Sequence, residues 1–244
     1  QPQAPVLTVT LNPALDISTS TDEVVPDLKL RCEAPDIDPG GGGINWGSVS
    51  VDPVRNRMIV NLQTAPFTIQ LTPRKNYKAA LDGSDLVGTG PQEGTPYVVT
   101  RGPFISPYMT PCTPPPWGKL VAIDLDSGNK LWERELGNLN NLAPLVGDWL
   151  DYGTPNSGGS LQTASGLVFI AATMDKYLRA FDGDNGAELW RYELPFTAHA
   201  APLSYPPPSK DGGKGKQFIA IAAGGHGPLG TQPGDAIVAF TLGE

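Results

Sequence analysis

The sequence predicts an all-β fold, and three observations carry that prediction. Short runs of alternating apolar and polar residues recur between turn signals. Glycine (29) and proline (26) are abundant, while charged residues make up only 17% of the 244 residues. Without a period of three, that mix favours many strands joined by tight turns over helices. Third, a strand–turn–strand pattern bearing tryptophan repeats at a fixed interval. "GKLVAIDLDSGNKLWERELG" (118–137) aligns with "DKYLRAFDGDNGAELWRYELP" (175–195), pairing Ala122 with Ala180, Asp124 with Asp182, Gly128 with Gly186 and Trp132 with Trp190, each 58 residues apart. "GDAIVAFTLGE" at 234–244 is a third, clipped copy. Repeats of this length with a W motif on the last strand predict β-propeller blades, their tryptophans stacked between neighbouring sheets. About three blades fit between residues 46 and 242. Three cannot close a ring, so the prediction is a partial, about three-bladed β-propeller with an N-terminal β extension.

Each element follows from its local pattern. "PVLTVTLN" (5–12) alternates and stops at Asn12-Pro13, which predicts a first strand. "DISTSTDEVVPDLKLRC" predicts a polar connection and then an extended run ending near Cys32. Composition shifts at the glycine run 40–43, which divides the chain into an extension, 1–41, and a propeller part, 42–244. "WGSVSVDPVRNRMIVNLQ" predicts a hairpin with Asp52-Pro53 and Arg55-Asn56 at its tip. The proline-rich stretch 63–117 predicts irregular chain in which "GTPYVVTRG" is the only good strand. It is too long for a passive connector and is expected to pack as an excursion.

Several function classes are excluded or left open. A formal charge of −8 argues against nucleic acid or an anionic membrane as the main partner. No apolar run approaches a membrane span, and the first residues lack a signal peptide's basic and apolar regions, as a mature secreted form also would. Cys32 and Cys112 could pair, and their spacing fits no metal motif.

Two resemblances then emerge in sequence order. "GGINWGSVSVDP", "GTPYVVTRGPF", "PCTPPPWGKLVAIDLDSG", "GTPNSGGSLQTASGLVFIAATMDKYLRAFD" and "AIAAGGHGPLGTQPGDAIVAF" resemble the C-terminal part of membrane-bound quinoprotein glucose dehydrogenases, which use pyrroloquinoline quinone (PQQ). The first 40 residues, through "NPALD", "KLRC" and "GGGGIN", resemble the opening of ribokinase-like sugar kinases of the phosphofructokinase and tagatose-phosphate kinase branch. They meet at "GGGGINW", so the chain reads as a chimera joined across a shared word. The first resemblance implies a quinoprotein-type propeller, periplasmic placement, and oxidation of glucose or another polyol by PQQ.

The quinoprotein resemblance implies that Asn45 and Trp46 contact the quinone, that His226 lies near sugar and quinone, and that Asp175 is tied to electron transfer. An amide can hydrogen-bond a quinone oxygen, an indole offers a flat surface, and imidazole exchanges protons near neutral pH. The same residues have plainer uses. Asn45 could cap a turn, Trp46 fill a blade core, His226 face solvent, and Asp175 be a surface turn charge paired with Lys176 or Arg179. The kinase resemblance implies that Asp16, Lys29, the glycine run Gly40, Gly41, Gly42 and Gly43, and Asn45 hold a sugar phosphate, glycines letting backbone N–H groups approach. Phosphoryl transfer also needs a nucleotide site and a Gly-Ala-Gly-Asp motif. The one faint match, Gly234-Asp235, fits the quinoprotein end better.

In the quinoprotein family the catalytic aspartate, the calcium ligands and a cofactor lysine lie in blades upstream of "NWG". No carboxylate spacing here points to calcium or another metal. The expected function is thus that of a PQQ-dependent dehydrogenase part, inactive alone. The alternatives are a structural or binding module whose open blade edges recruit a partner or a second copy, and a sugar-phosphate kinase remnant.

Overall fold

The computed structural model describes residues 6–9, 17–20, 36–37, 47, 49–76, 88–90, 94–107, 110–140, 150, 152–206 and 215–241. Among them there is no α-helix, and the strands are antiparallel throughout. The chain divides into two compact units, one of Gln1–Gly43 with Thr64–Pro114 and one of Ile44–Gln63 with Pro115–Glu244.

The first unit holds two three-stranded sheets. β1 (Val6–Val9), β2 (Ile17–Ser20) and β3 (Asp36–Ile37) pair in that order. The first strand falls where alternation predicts it, whereas β2 lies in what reads as a polar connection. In the excursion, β6 (Phe67–Pro73), β7 (Gly88–Gly90) and β8 (Tyr97–Pro103) form a sheet of order β6-β8-β7. That corrects the expectation of one good strand there. "FTIQLTP" alternates well enough, and its proline is tolerated because β6 is an edge strand. Cys112 carries a free, exposed thiol, and Cys32 lies outside the described residues.

The second unit contains three sheets that match the predicted blades. Sheet I is β4 (Ser50–Asp52), β5 (Arg57–Gln63), β9 (Gly118–Asp124) and β10 (Lys130–Glu135), ordered β4-β5-β9-β10. Sheet II is β11 (Leu161–Gln162), β12 (Leu167–Ile170), β13 (Tyr177–Asp182) and β14 (Glu188–Glu193), in sequence order. Sheet III has three strands, β15 (Leu203–Tyr205), β16 (Phe218–Ala223) and β17 (Ala236–Thr241). The chain leaves sheet I after β5 and returns to it at β9, so the whole excursion is inserted between two paired strands.

The repeat works through its turn. Asp124 Oδ1 accepts from the Ser127 backbone N–H at 2.8 Å, and Gly128 at φ 71° donates to the Asp124 carbonyl. In sheet II, Asp182 and Gly186 (φ 72°) make the same turn. Each hairpin then carries a bulge after the turn, setting Trp132 opposite Ala122 and Trp190 opposite Ala180. Trp132 is buried and its indole N–H donates to the Gly183 carbonyl of sheet II at 2.8 Å. Its ring lies on Gly186, where an added Cβ would come within 2.6 Å of the indole. Around it, Ile59, Leu120, Val168, Ile170 and Phe181 form the core between sheets I and II. A second core between sheets II and III gathers Leu178, Leu194 and Ile221, with Val238 and Phe240 against it. Sheet II is therefore apolar on both faces, as a middle blade must be. The expectation that both tryptophans are pinned between sheets holds for Trp132 and needs correction for Trp190. That residue is 39% exposed and packs edge-on to Phe240, with ring centroids 5.3 Å apart. Sheet III has no fourth strand among the described residues to bring a glycine turn over it.

Candidate functional site

In an antiparallel blade the connections fall alternately at two ends. The Asp/Gly hairpin turns and the 53–56 tip gather at one end of the second unit, and there the chemistry is structural. Buried Arg57 joins Asp184 at 2.6 Å, tying the turns of sheets I and II together, and Arg55 holds Asp52 at 2.8 Å within the sheet I tip. At the other end lie the β12–β13 link with Asp175, the β16–β17 link with His226, and the described sheet-to-sheet segments 136–140, 152–160 and 194–202. That link end collects the described site candidates.

His226 sits in the glycine-rich link "GGHGPLG". Its extended backbone (φ −152°) follows Gly225 at φ 71°, and its N–H donates to Thr231 Oγ1 at 2.7 Å. The Gly225 N–H donates to the Thr197 carbonyl, which fastens this link to segment 194–202. Facing it from that segment is His199, a residue no sequence motif singled out. The two rings lie with centroids 5.1 Å apart, tilted by 51°. His199 is buried, and its Nδ1 pairs with the Ser157 carbonyl at 3.1 Å, so the proton sits on Nδ1 and donates. His199 Nε2, His226 Nδ1, Ser157 Oγ and Thr197 Oγ1 are buried without a hydrogen-bond partner among the described residues. Burial and the neighbouring His226 ring push the His199 imidazole down to about 4, and burial lowers His226 as well, so both rings are neutral at pH 7.

Asp175 is not a surface charge. It is buried and accepts from Arg179 Nη1 and Nη2, Thr173 Oγ1, and the backbone N–H groups of Tyr177 and Asn138. Burial works to raise its carboxyl, but the Arg179 charge and these hydrogen bonds prevail and hold it below its ordinary value. With its lone pairs so engaged, it is built to fix the β12–β13 link and segment 136–140 in place. Arg179 and Asn138 also line a cavity of about 280 Å³ between sheets I and II, shared with Arg134, Glu188 and Arg191.

Asn45, Trp46, Asp16, Lys29, Gly42 and Gly43 lie outside the described residues. Gly47, just after Trp46, is described, and it approaches the backbone of Gly158 and Gly159 so closely that no side chain fits. Gly158 in turn lies against the His199 carbonyl. Buried Asn61 braces this junction, donating to Asn156 Oδ1 and the Gly158 carbonyl at 2.8 and 2.9 Å. Among the described residues no group of three or more His, Cys, Asp or Glu could hold a metal ion, and no helix is long and apolar enough to cross a membrane.

Comparison with known proteins follows the same lines. The family described as glucose/ethanol/alcohol dehydrogenase, β-propeller domain (PQQ) matches residues 34–219, beginning earlier than the glycine-run boundary. The chain is 40% identical over 214 residues to the quinoprotein glucose dehydrogenase of Escherichia coli, covering 84% of this chain and 26% of that protein. It is 39% identical over 215 residues to the quinate/shikimate dehydrogenase (quinone) of Acinetobacter baylyi, with the same coverage of 84% and 26%. It thus spans about a quarter of the length of these relatives. Among solved structures, a quinohemoprotein alcohol dehydrogenase of Pseudomonas putida shares its fold, with a TM-score of 0.51 at 17% identity, over 98% of this chain and 38% of that one. None of these matches concerns the sugar-kinase likeness of residues 1–41. Matched by one family over most of its length, and close in sequence to quinoprotein dehydrogenases, the chain belongs to the PQQ glucose/ethanol/alcohol dehydrogenase β-propeller family.

Proposed function

We propose that this chain is the histidine-bearing part of a PQQ-dependent dehydrogenase acting on glucose or another polyol in the periplasm. The observation that supports this most is the link end. There His226 and the unpartnered Ser157 and Thr197 hydroxyls stand on segments locked by glycine–glycine contact and by the Asp175–Arg179 pair. Such unpaired buried groups fit a ligand rich in carbonyl and carboxylate oxygens, which PQQ is. In this reading Asn45, Trp46 and His226 hold the cofactor, residues 42–244 form the partial propeller, and residues 1–41 are an extension. When bound, the quinone supplies the two-electron acceptor for oxidation of a hydroxyl-bearing carbon. The chain's own part is to orient and to handle a proton. His226, neutral at pH 7, has a ring nitrogen free to accept the proton leaving the substrate hydroxyl. Asp175 acts at one remove, keeping the neighbouring link in shape.

A PQQ titration followed by absorbance, with and without calcium, tests the reading. Saturable binding that weakens in Asn45→Ala and His226→Gln is expected, and binding indifferent to both substitutions would overturn it. With PQQ, calcium and glucose, the 244 residues on their own should give no dye reduction, and robust turnover would show that the needed groups were misjudged. A second reading, a binding module that associates through its sheets, is favoured by the open face of sheet III, where Ile237 is 80% exposed. The kinase reading of residues 1–41, with Asp16, Lys29, Gly42 and Gly43 on a sugar phosphate, predicts a nucleotide-induced rise in melting temperature. None is expected.

A further inference from the structure

The dehydrogenase reading uses His226 but gives no role to His199 or to the pairing of the two rings. Each ring turns one buried nitrogen to no hydrogen-bond partner among the described residues: Nε2 of His199 and Nδ1 of His226. A neutral imidazole nitrogen without its proton is a strong donor to borderline and soft cations. A cation bonded at about 2.0–2.1 Å to two imidazoles at a tetrahedral angle holds the ring centres roughly 5 Å apart, and here they are 5.1 Å apart. The opposite edge of His199 carries the usual support of a metal-bound histidine, an N–H donated to a backbone carbonyl, here that of Ser157. Direct ring-to-ring hydrogen bonding, the other use of two such nitrogens, is absent among the described residues.

We propose that His199 Nε2 and His226 Nδ1 form a two-histidine site for a first-row transition cation of the zinc or copper class, water completing the coordination. Calcium is not the cation, because it takes oxygen ligands. The site shares His226 with the quinone reading but does not depend on it. The two meet in one consequence: a cation on Nδ1 obliges His226 to carry its proton on Nε2, making that edge a donor instead of an acceptor.

The experiment is a Co²⁺ titration of the tag-free full chain, followed by visible d–d absorption, with Zn²⁺ displacement read by calorimetry. One saturable equivalent, displaced by Zn²⁺ and untouched by Ca²⁺, is expected. Since losing even an outer-shell partner weakens metal sites about 10–100-fold, His199→Gln and His226→Gln should each weaken binding at least tenfold. Circular dichroism on both variants separates lost ligation from lost folding, and His199→Cys, which replaces one donor by another, should restore a shifted cobalt spectrum. No d–d band, or a band unchanged in either glutamine variant, would overturn the proposal. Because neither readout involves PQQ or turnover, its failure leaves the dehydrogenase reading standing, and failure of the PQQ titration leaves this one standing.

Discussion

At the residue scale, what decides a role is how many of a side chain's bonding sites are already taken. Asp175 and His199 are both buried at the same end of the blades, yet the first is saturated and the second keeps one nitrogen open. The lowered Asp175 carboxyl gives a signed expectation. A carboxylate held below its ordinary 3.8 contributes stability that is fully present above that value and is lost as pH falls through the lower, folded-state value. Between pH 7 and 5 the pair should leave stability flat, and below pH 4 it should add to acid unfolding. Asp175→Asn leaves the buried Arg179 guanidinium with only the half-buried Glu188, 3.4 Å from its Nε, as counter-charge, so the loss should approach but not exceed the roughly 3–5 kcal/mol of a broken buried pair. The double variant Asp175→Asn/Arg179→Met should recover much of that loss and show a shallower acid limb. Urea denaturation at pH 7 and 3 checks it. A single variant as stable as the parent at pH 7 would mean that Glu188 alone suffices to hold the guanidinium.

At the element scale the repeat itself supplies a controlled comparison. Gly128 and Gly186 occupy the same place in two copies of one hairpin, both with positive φ, at 71° and 72°. An alanine at either would bear the left-handed cost of roughly 1–2 kcal/mol. At Gly128 an added Cβ meets nothing within 4 Å, whereas at Gly186 it meets the Trp132 ring at 2.6 Å. Gly186→Ala should therefore cost more than Gly128→Ala by about 1–3 kcal/mol of overpacking. Equal losses in thermal unfolding would show that the indole does not depend on that turn. These hairpins were legible in the sequence because the interval of 58 residues preserves the Asp, Gly and Trp that build them. β6 was not, because its alternation is embedded among prolines, which weigh against strands unless edge placement is known. His199 escaped for another reason. It lies in "FTAHAAPL" with no motif around it, and its meaning comes from His226, 27 residues later, across a link whose path only the folded chain reveals. That the sequence has only two histidines was the available signal. Asp175's burial was equally hidden, since Asn138, 37 residues earlier, helps to close its shell.

At the scale of the whole molecule, sheets I and II bury a shared core, whereas sheet III offers one face with no described neighbour to cover it. On β17 the odd-numbered positions face outward: Ile237 is 80% exposed, and on β15 of the same face Leu203 is 53% and Tyr205 40% exposed. A contiguous apolar face of this kind invites association, and the outer edge of β17, which pairs with no strand among the described residues, adds a row of backbone donors and acceptors. Opposing it is the formal charge of −8, which makes two copies repel. Which of these wins depends on salt, because the Debye length shrinks from about 30 Å at 0.01 M to about 3 Å at 1 M. The second reading therefore predicts a chain that is monomeric in dilute buffer and associates as salt is raised. A merely charged surface contact would weaken under the same change. Ile237→Lys places a cation on the open face at a side chain that is 80% exposed, so it should abolish the salt-driven association and leave the melting temperature within a few degrees of the parent. Light scattering across a salt series reads both, and a size independent of salt in parent and variant alike would assign the open face no part in self-association.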